Sequence, residues 1–285
     1  MKNILIYGAC VRGAQVLQYL ILDYNIIGFV DSDCNKHGKT IVVLDKEYII
    51  YNPEELKKLN FDYIFIATHA KEAVVKTLNQ YGINKNRINS DYYNSMSIYQ
   101  KSEFAYNIAS LFKQKNIIGS CAELGVYKGD FARYINNVFK SEKFYLLDTF
   151  EGFNEKDCKI DINNNLSFSN ASFFSDTSLE YVKSRMPYPK QCHFIKGRFP
   201  ETSNQIPDNE KFCFVHIDVD LYQPIIDGCE FFYPKLVKGG ILMIHDYFQP
   251  YFYKGPKKAV DEFALKHNID FYPGGDGLGV FCVKN

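Results

Sequence analysis

Two short apolar runs constrain this chain more than anything else in it. The first, Phe212-Cys213-Phe214-Val215-His216-Ile217, is interrupted only by His216 and leads into Asp218-Val219-Asp220-Leu221-Tyr222. The second, Gly240-Ile241-Leu242-Met243-Ile244, leads into His245-Asp246-Tyr247. Runs of this length and character read as parallel strands covered on both faces. Residues 224–237 between them read as a helix, and such a strand–helix–strand unit closes by a right-handed crossover with its strands side by side. Open α/β sheets carry their chemistry at the carboxyl ends of the strands. Asp218, Asp220, His245 and Asp246 are therefore expected to share one crevice. The competing reading is that Asp218 and Asp220 only cap the following helix. Two neighbouring strands that both end in clustered polar groups speak against it.

The rest of the composition sets limits. A chain of 285 residues has length for two domains, and 46% hydrophobic content supplies the cores. The 33 basic and 33 acidic residues balance, which leaves no bulk electrostatic handle on nucleic acid. No apolar stretch reaches the roughly 18 residues of a membrane span. Met1-Lys2-Asn3 leads straight into a strand without a signal peptide, so a cytoplasmic protein is expected. The eight cysteines, at 10, 34, 121, 158, 192, 213, 229 and 282, form no Cys-x-x-Cys pair. Reduced, largely buried thiols are expected, and a zinc site is not.

The first ninety residues read as a small α/β unit. A strand ends at Tyr7, Gly8-Ala9-Cys10-Val11-Arg12-Gly13 opens a helix, and Asp31 stands at the end of the next strand, 23 residues after Gly8. This is the order of a dinucleotide-binding unit, with Cys10 where the middle glycine of Gly-x-Gly-x-x-Gly belongs. A Cβ there crowds a pyrophosphate. A strand at 40–44, a helix at 53–59, a strand at 63–67 and a helix at 71–81 ending at Gly82 follow. On Gly8, Gly13, Asp31, Asp33, Lys36 and Gly38 the segment resembles the small Rossmann-like domain at the front of some polysaccharide-biosynthesis dehydratases and sugar acyltransferases. The resemblance implies binding of a nucleotide or nucleotide-sugar. The other reading is a degenerate module used for docking or dimerisation, which would make the chain a homo-oligomer. Residues 84–100, rich in Asn, Ser and Tyr, show no period, which puts a domain boundary near 95. The expected domains are 1–95 and 96–285, with a helix at 103–113.

The second domain opens on Ala122-Glu123-Leu124-Gly125-Val126-Tyr127-Lys128-Gly129, a glycine turn between a strand and a helix at 131–139. Its acid and wide glycine spacing differ from the dinucleotide fingerprint and suit a ligand with an amino-acid end and no pyrophosphate, S-adenosylmethionine. The next strand ends at Asp148, a candidate to accept both ribose hydroxyls.

Five segments together resemble the macrocin, mycinamicin and novobiocin O-methyltransferase family. They are the glycine turn, Leu147-Asp148-Thr149-Phe150-Glu151-Gly152-Phe153, Lys196-Gly197-Arg198-Phe199-Pro200-Glu201-Thr202, His216-Ile217-Asp218-Val219-Asp220-Leu221-Tyr222 and Gly255-Pro256-Lys257-Lys258-Ala259-Val260-Asp261-Glu262-Phe263. The resemblance runs from about residue 103 to the end and implies a class I methyltransferase fold with a seven-stranded, mostly parallel sheet. It implies S-adenosylmethionine and a divalent metal, magnesium first and manganese second, acting on a sugar or nucleotide-sugar substrate. Glu123, Gly125, Tyr127 and Gly129 would wall the methionine end, Asp148, Thr149 and Phe150 the ribose, and Gly197 and Arg198 the adenine. Asp218, Asp220, His245 and Asp246 would supply the metal ligands, with Asp218 against Asp220 left open. His245 stands where an aspartate is the expected pattern, and a histidine suits manganese or zinc better than magnesium. Asp218 or His245 would take the proton from the acceptor hydroxyl.

Residues 154–188 read as a substrate lid carrying Phe168, Phe173 and Phe174, with a helix from Thr177 capped by Asp176. The alternative places those aromatics in the core. The function expected is metal-dependent O-methylation of a sugar hydroxyl on a surface glycan precursor or secondary metabolite. The alternative is a non-catalytic nucleotide-sugar-binding protein that keeps the fold.

Overall fold

The computed structural model describes residues 1–68, 70–140, 142–249 and 252–285, without the side chains of 93–97 and 99. The chain is α/β and divides into two compact units, Met1–Ser97 and Ile98–Asn285. Among the described residues no helix is long and apolar enough to cross a membrane. All eight cysteines are free thiols, five of them buried.

The first unit is a six-stranded sheet built from β1 (Lys2–Tyr7), α1 (Val11–Leu20), β2 (Tyr24–Val30), β3 (Thr40–Val43), β4 (Lys46–Tyr51), β5 (Tyr63–Ile66), α2 (Lys71–Gln80) and β6 (Ile88–Asn89). The strand order is β3-β4-β2-β1-β5-β6, and only β3 and β4 pair antiparallel. The sequence reading missed β4 and β6. Leu44 and Asp45, with φ of 50° and 59°, make a two-residue hairpin turn at the end of the strand read at 40–44, and β4 is the returning strand. The helix expected at 53–59 is a short 3-10 turn, Pro53–Lys57, boxed by Asn52 and Glu55.

The first glycine turn is held from within. Gly8 has φ 118°, and a Cβ on Gly13 would lie 2.0 Å from the Gly8 carbonyl oxygen. Asp31 Oδ2 accepts from the Ala9 amide and from Lys36 Nζ, each at 2.9 Å, while Oδ1 accepts from the Asp33 amide at 2.9 Å.

Helix α3 (Tyr92–Lys115) starts eleven residues before the expected 103, in the stretch that shows no period. Its start is set by a cap and a contact. Asn89 Oδ1 accepts from the Tyr92 amide at 3.0 Å, and the Tyr92 ring stands edge-on to Phe65 at 5.4 Å.

The second unit contains β7 (Ser120–Leu124), α4 (Ala132–Val138), β8 (Phe144–Asp148), α5 (Glu155–Asn163), α6 (Leu179–Arg185), β9 (Cys192–Lys196), β10 (Phe212–Ile217), α7 (Tyr222–Phe232), β11 (Leu236–Ile244), α8 (Gly255–His267), β12 (Tyr272–Pro273) and β13 (Val280–Val283). The order is β12-β13-β11-β10-β7-β8-β9. β13 runs antiparallel to both neighbours, and the other pairs are parallel. Every residue of β7 and of β10 is buried, which is why their runs are continuous rather than alternating. Two apolar cores cover the sheet, one centred on Phe212, Ile225, Phe232 and Phe263, the other on Phe112, Phe131, Phe144 and Phe214. The order reverses between β7 and β10, the kind of position at which open α/β sheets bind their ligands.

The helix expected from Thr177 begins instead at Leu179, with Ser178 as its cap. Asp176 is engaged elsewhere, by Tyr127 and Lys128.

Candidate active site

Parallel register brings the two motifs together. His216 on β10 lies opposite Glu123 on β7 and opposite Met243 on β11. One step past β10, the Asp218 amide donates to the Leu124 carbonyl at 2.8 Å. Gly125 has φ 91°, and a Cβ there would sit 2.0 Å from the Asp218 carbonyl oxygen, so the close approach requires glycine. Asp220 and Asp246 each turn the chain with φ 58°, a left-handed conformation that non-glycine residues adopt at a cost.

The strand-end residues form one charged cluster. His245 Nδ1 lies 3.1 Å from Asp218 Oδ1 and 3.1 Å from Asp246 Oδ2, and its Nε2 lies 3.5 Å from Asp276 Oδ2. Neither imidazole nitrogen has hydrogen-bond geometry to these oxygens, although both are buried. Asp218 Oδ2 accepts from Lys101 Nζ at 3.1 Å. Asp276 is fixed by the Leu278 and Gly279 amides, which donate to its Oδ1 at 3.0 and 2.7 Å. Gln249 Nε2 donates to Asp246 Oδ1 at 3.4 Å, and Asp220 lies beside Asp246. Among the described residues, Asp218, His245 and Asp246 offer metal-ligating atoms that all lie within 4.8 Å of one another.

Protonation follows from burial set against these neighbours. Burial pushes Asp218 up, but His245 and Lys101 outweigh it and hold the carboxyl well below its ordinary range. Asp246 is likewise opposed by burial yet held at about 2 by His245. Burial and the repulsion of Asp246 and Asp218 drive Asp220 well above its range, so Asp220 and Asp246 share one proton. Burial lowers His245, and Asp218 with Asp246 reverses that and raises it well above an ordinary imidazole. His216 goes the other way, burial keeping it neutral, and burial pushes Glu123 well up.

The residues of the second glycine turn are held by the protein itself. Asp148 Oδ2 accepts from the Val126 and Tyr127 amides, both at 2.7 Å, and Oδ1 from the Phe150 amide at 2.7 Å. Thr149 Oγ1 donates to the Gly152 carbonyl at 2.5 Å. Tyr127 (φ 48°) and Gly129 (φ 73°) shape the turn, and Phe150 is buried beside it. The Gly197 amide donates to the Asp148 carbonyl at 2.9 Å, so the end of β9 adjoins the same place. Arg198 grips Asp157 of α5 with Nε at 2.9 Å and a second nitrogen at 2.6 Å, which ties β9 to α5.

Segment 174–177 folds over the turn. Tyr127 Oη donates to Asp176 at 2.6 Å, Thr177 Oγ1 donates to the Tyr127 carbonyl at 2.6 Å, and Phe174 stands edge-on to Tyr127 at 5.1 Å. Phe168 is 93% exposed and Phe173 46%, so these aromatics are not core residues. Ser167 bridges Tyr253, joining this stretch to the loop that follows Asp246.

Four residues of the cluster escaped the sequence reading: Lys101, Asp276, His216, and Gln249 in the loop after β11. Lys101 keeps the helical spacing of Phe104 and Ile108, and a lysine on that apolar face was the available signal. Asp276 reads as part of a glycine turn. His216 reads as an interruption in a strand.

Comparison with known proteins bears on this arrangement. A family model described as Macrocin-O-methyltransferase (TylF) matches residues 61–274. A model described as C2185-like, N-terminal, matches residues 1–89. The chain is 29% identical over 163 residues to mycinamicin III 3''-O-methyltransferase of Micromonospora griseorubida, an alignment covering 53% of this chain and 62% of that protein. The chain thus spans less than two thirds of that relative's length. The solved structure of the O-methyltransferase NovP is similar at TM-score 0.52 and 22% identity, covering 65% of this chain and 80% of that one. A calicheamicin methyltransferase matches at TM-score 0.52 and 16% identity over 76% of this chain and 92% of that one. Both structures speak to the fold.

Proposed function

Because this chain belongs to the macrocin O-methyltransferase family, we propose that it moves a methyl group from S-adenosylmethionine to a sugar hydroxyl of a small molecule, a glycan precursor or secondary metabolite. One observation carries the reading. Asp218 Oδ1, His245 Nδ1 and Asp246 Oδ2 face one another at the end of β10 and β11, beside the Gly125 turn.

The donor set fits a divalent cation. The His245 nitrogen is buried and unpaired between two carboxylate oxygens. Its 3.1 Å separations match what bonds of about 2.1 Å at right angles need. One imidazole and two carboxylates suit manganese or another transition ion at least as well as magnesium. Asp218, His245 and Asp246 would hold the ion, which takes the place of the imidazolium proton. A divalent ion at such a site supplies acidity and orientation to an alcohol.

The remaining work falls to the chain. The Gly125 turn, fastened by Asp148, presents amides for the cofactor's amino-acid end. Asp148 spends both oxygens on backbone amides, so its first contribution to cofactor binding is the shape of the turn. Segment 174–177 covers the turn and excludes water. Asp218, ionised beside the ion, takes the acceptor's proton; His245, the other candidate, carries its own proton without the ion and would ligate it when bound.

The test is calorimetric titration with S-adenosylhomocysteine, followed by a methyl-transfer assay on nucleotide-sugars with magnesium or manganese. Asp246→Asn should retain the nucleoside and lose turnover by about 100-fold or more. Failure of the unaltered chain to bind S-adenosylhomocysteine under any metal condition would sink the proposal and leave the non-catalytic binding protein.

A further inference from the structure

The mechanism above leaves the buried pair Glu123 and His216 unused. Glu123 is 2% exposed and His216 wholly buried, and they stand opposite each other on adjacent parallel strands. Glu123 Oε1 lies 3.0 Å from His216 Nδ1. The other carboxylate oxygen, Glu123 Oε2, is buried without a hydrogen-bond partner. An unmet carboxylate oxygen in the interior is costly and calls for a donor. Glu123 is two residues before Gly125, so that oxygen sits at the root of the cofactor turn. The charges acting on it are Lys101, Asp218, Asp148 and Asp130, an excess of negative charge that favours a cation.

His216 is braced on its other edges. Its ring stands edge-on to Phe131 at 4.7 Å, and Nε2 lies 3.9 Å from Asp218 Oδ2. Lys101 Nζ sits 5.1 Å over the same Phe131 ring and closes the pocket. A histidine so enclosed cannot reach an acceptor, and what remains for it is to hold Glu123.

We propose that His216 is a positioning residue for the cofactor: its Nδ1–H fixes Glu123 Oε1 and so aims Oε2 at the ammonium of the cofactor's amino-acid end. The role rests on the methyltransferase reading and adds a residue that acts through Glu123 without touching the reacting atoms. The strand register makes it local, since His216 is the β10 residue paired with Glu123.

The experiment titrates the full-length chain with two nucleosides. S-adenosylhomocysteine carries the amino-acid end, and 5′-methylthioadenosine keeps the adenosine and thioether but lacks it. His216→Leu should weaken S-adenosylhomocysteine by about tenfold or more and leave methylthioadenosine within about twofold. His216→Asn, whose amide can still donate to Oε1, should recover most of the loss. Glu123→Gln keeps the shape but cannot ionise against the ammonium, and it should show the same selective loss. Unchanged S-adenosylhomocysteine affinity in His216→Leu, or equal losses for both nucleosides, would overturn the role while the methyltransferase reading stands. If the unaltered chain binds neither nucleoside, the methyltransferase reading itself falls.

Discussion

At the residue scale, single atoms decide what this site tolerates. Gly125→Ala places a methyl group 2.0 Å from the Asp218 carbonyl oxygen in a left-handed conformation. It should cost about 2–4 kcal/mol and abolish S-adenosylhomocysteine binding, read from urea midpoints and calorimetry. Asp161 of α5 illustrates pH linkage. It is fully buried, accepts from the Tyr222 amide at 3.1 Å, and is raised by burial from 3.8 to about 6. A group whose folded value is raised stabilises fully below its unfolded value and loses that contribution as pH climbs through the folded one. Asp161→Asn keeps the acceptor and cannot ionise. It should therefore raise stability at pH 8 by up to roughly 3 kcal/mol, a gain that vanishes near pH 4. Thermal midpoints of both proteins across that pH range check it, and a gain that persists at low pH would refute the linkage.

At the scale of elements, the turns and helices matter through what they fasten. Asp148 joins the end of β8 to the glycine turn after β7 through three backbone amides. Asp148→Asn turns a donor toward one set of those amides. Each hydrogen bond to a charged group is worth about 1.5–3 kcal/mol, so the variant should lose several-fold in S-adenosylhomocysteine affinity together with stability. Helix α3 delivers Lys101, which is 4% exposed, to Asp218. Lys101→Met leaves Asp218 with His245 alone and should destabilise by about 3 kcal/mol, measured by urea unfolding. The elements also show where sequence reading stops. β7, β10 and β11 were legible because an apolar run is a local property. β6 has two residues at the sheet edge, and β4 follows β3 across a two-residue hairpin turn that hides it. The start of α3 depends on a cap from Asn89 and a contact with Phe65, neither of which leaves a period.

At the scale of the molecule, each unit has its own sheet and its own pair of apolar cores. We propose that they unfold separately. Scanning calorimetry should then resolve two transitions, with S-adenosylhomocysteine shifting only the one that belongs to the second unit. A single transition that moves as a whole would refute this. In the first unit, Asp31 already accepts from Ala9, Asp33 and Lys36, so an acid in the ribose position does not by itself make a nucleotide site.

Sequence alone determined the two α/β units and the strands at whose ends the charged groups gather, and it pointed to Asp218, Asp220, His245, Asp246, Glu123 and Asp148 as candidates. Hydrophobic period and the residues that terminate a run are written within a few positions of each other. Tertiary structure alone decided which of these groups face one another. The pairing of Glu123 with His216 spans 93 positions and that of Lys101 with Asp218 spans 117. Such contacts depend on strand register and on a helix packing against a sheet. Asp276 was invisible until the fold closed, because its character comes from the charges brought beside it.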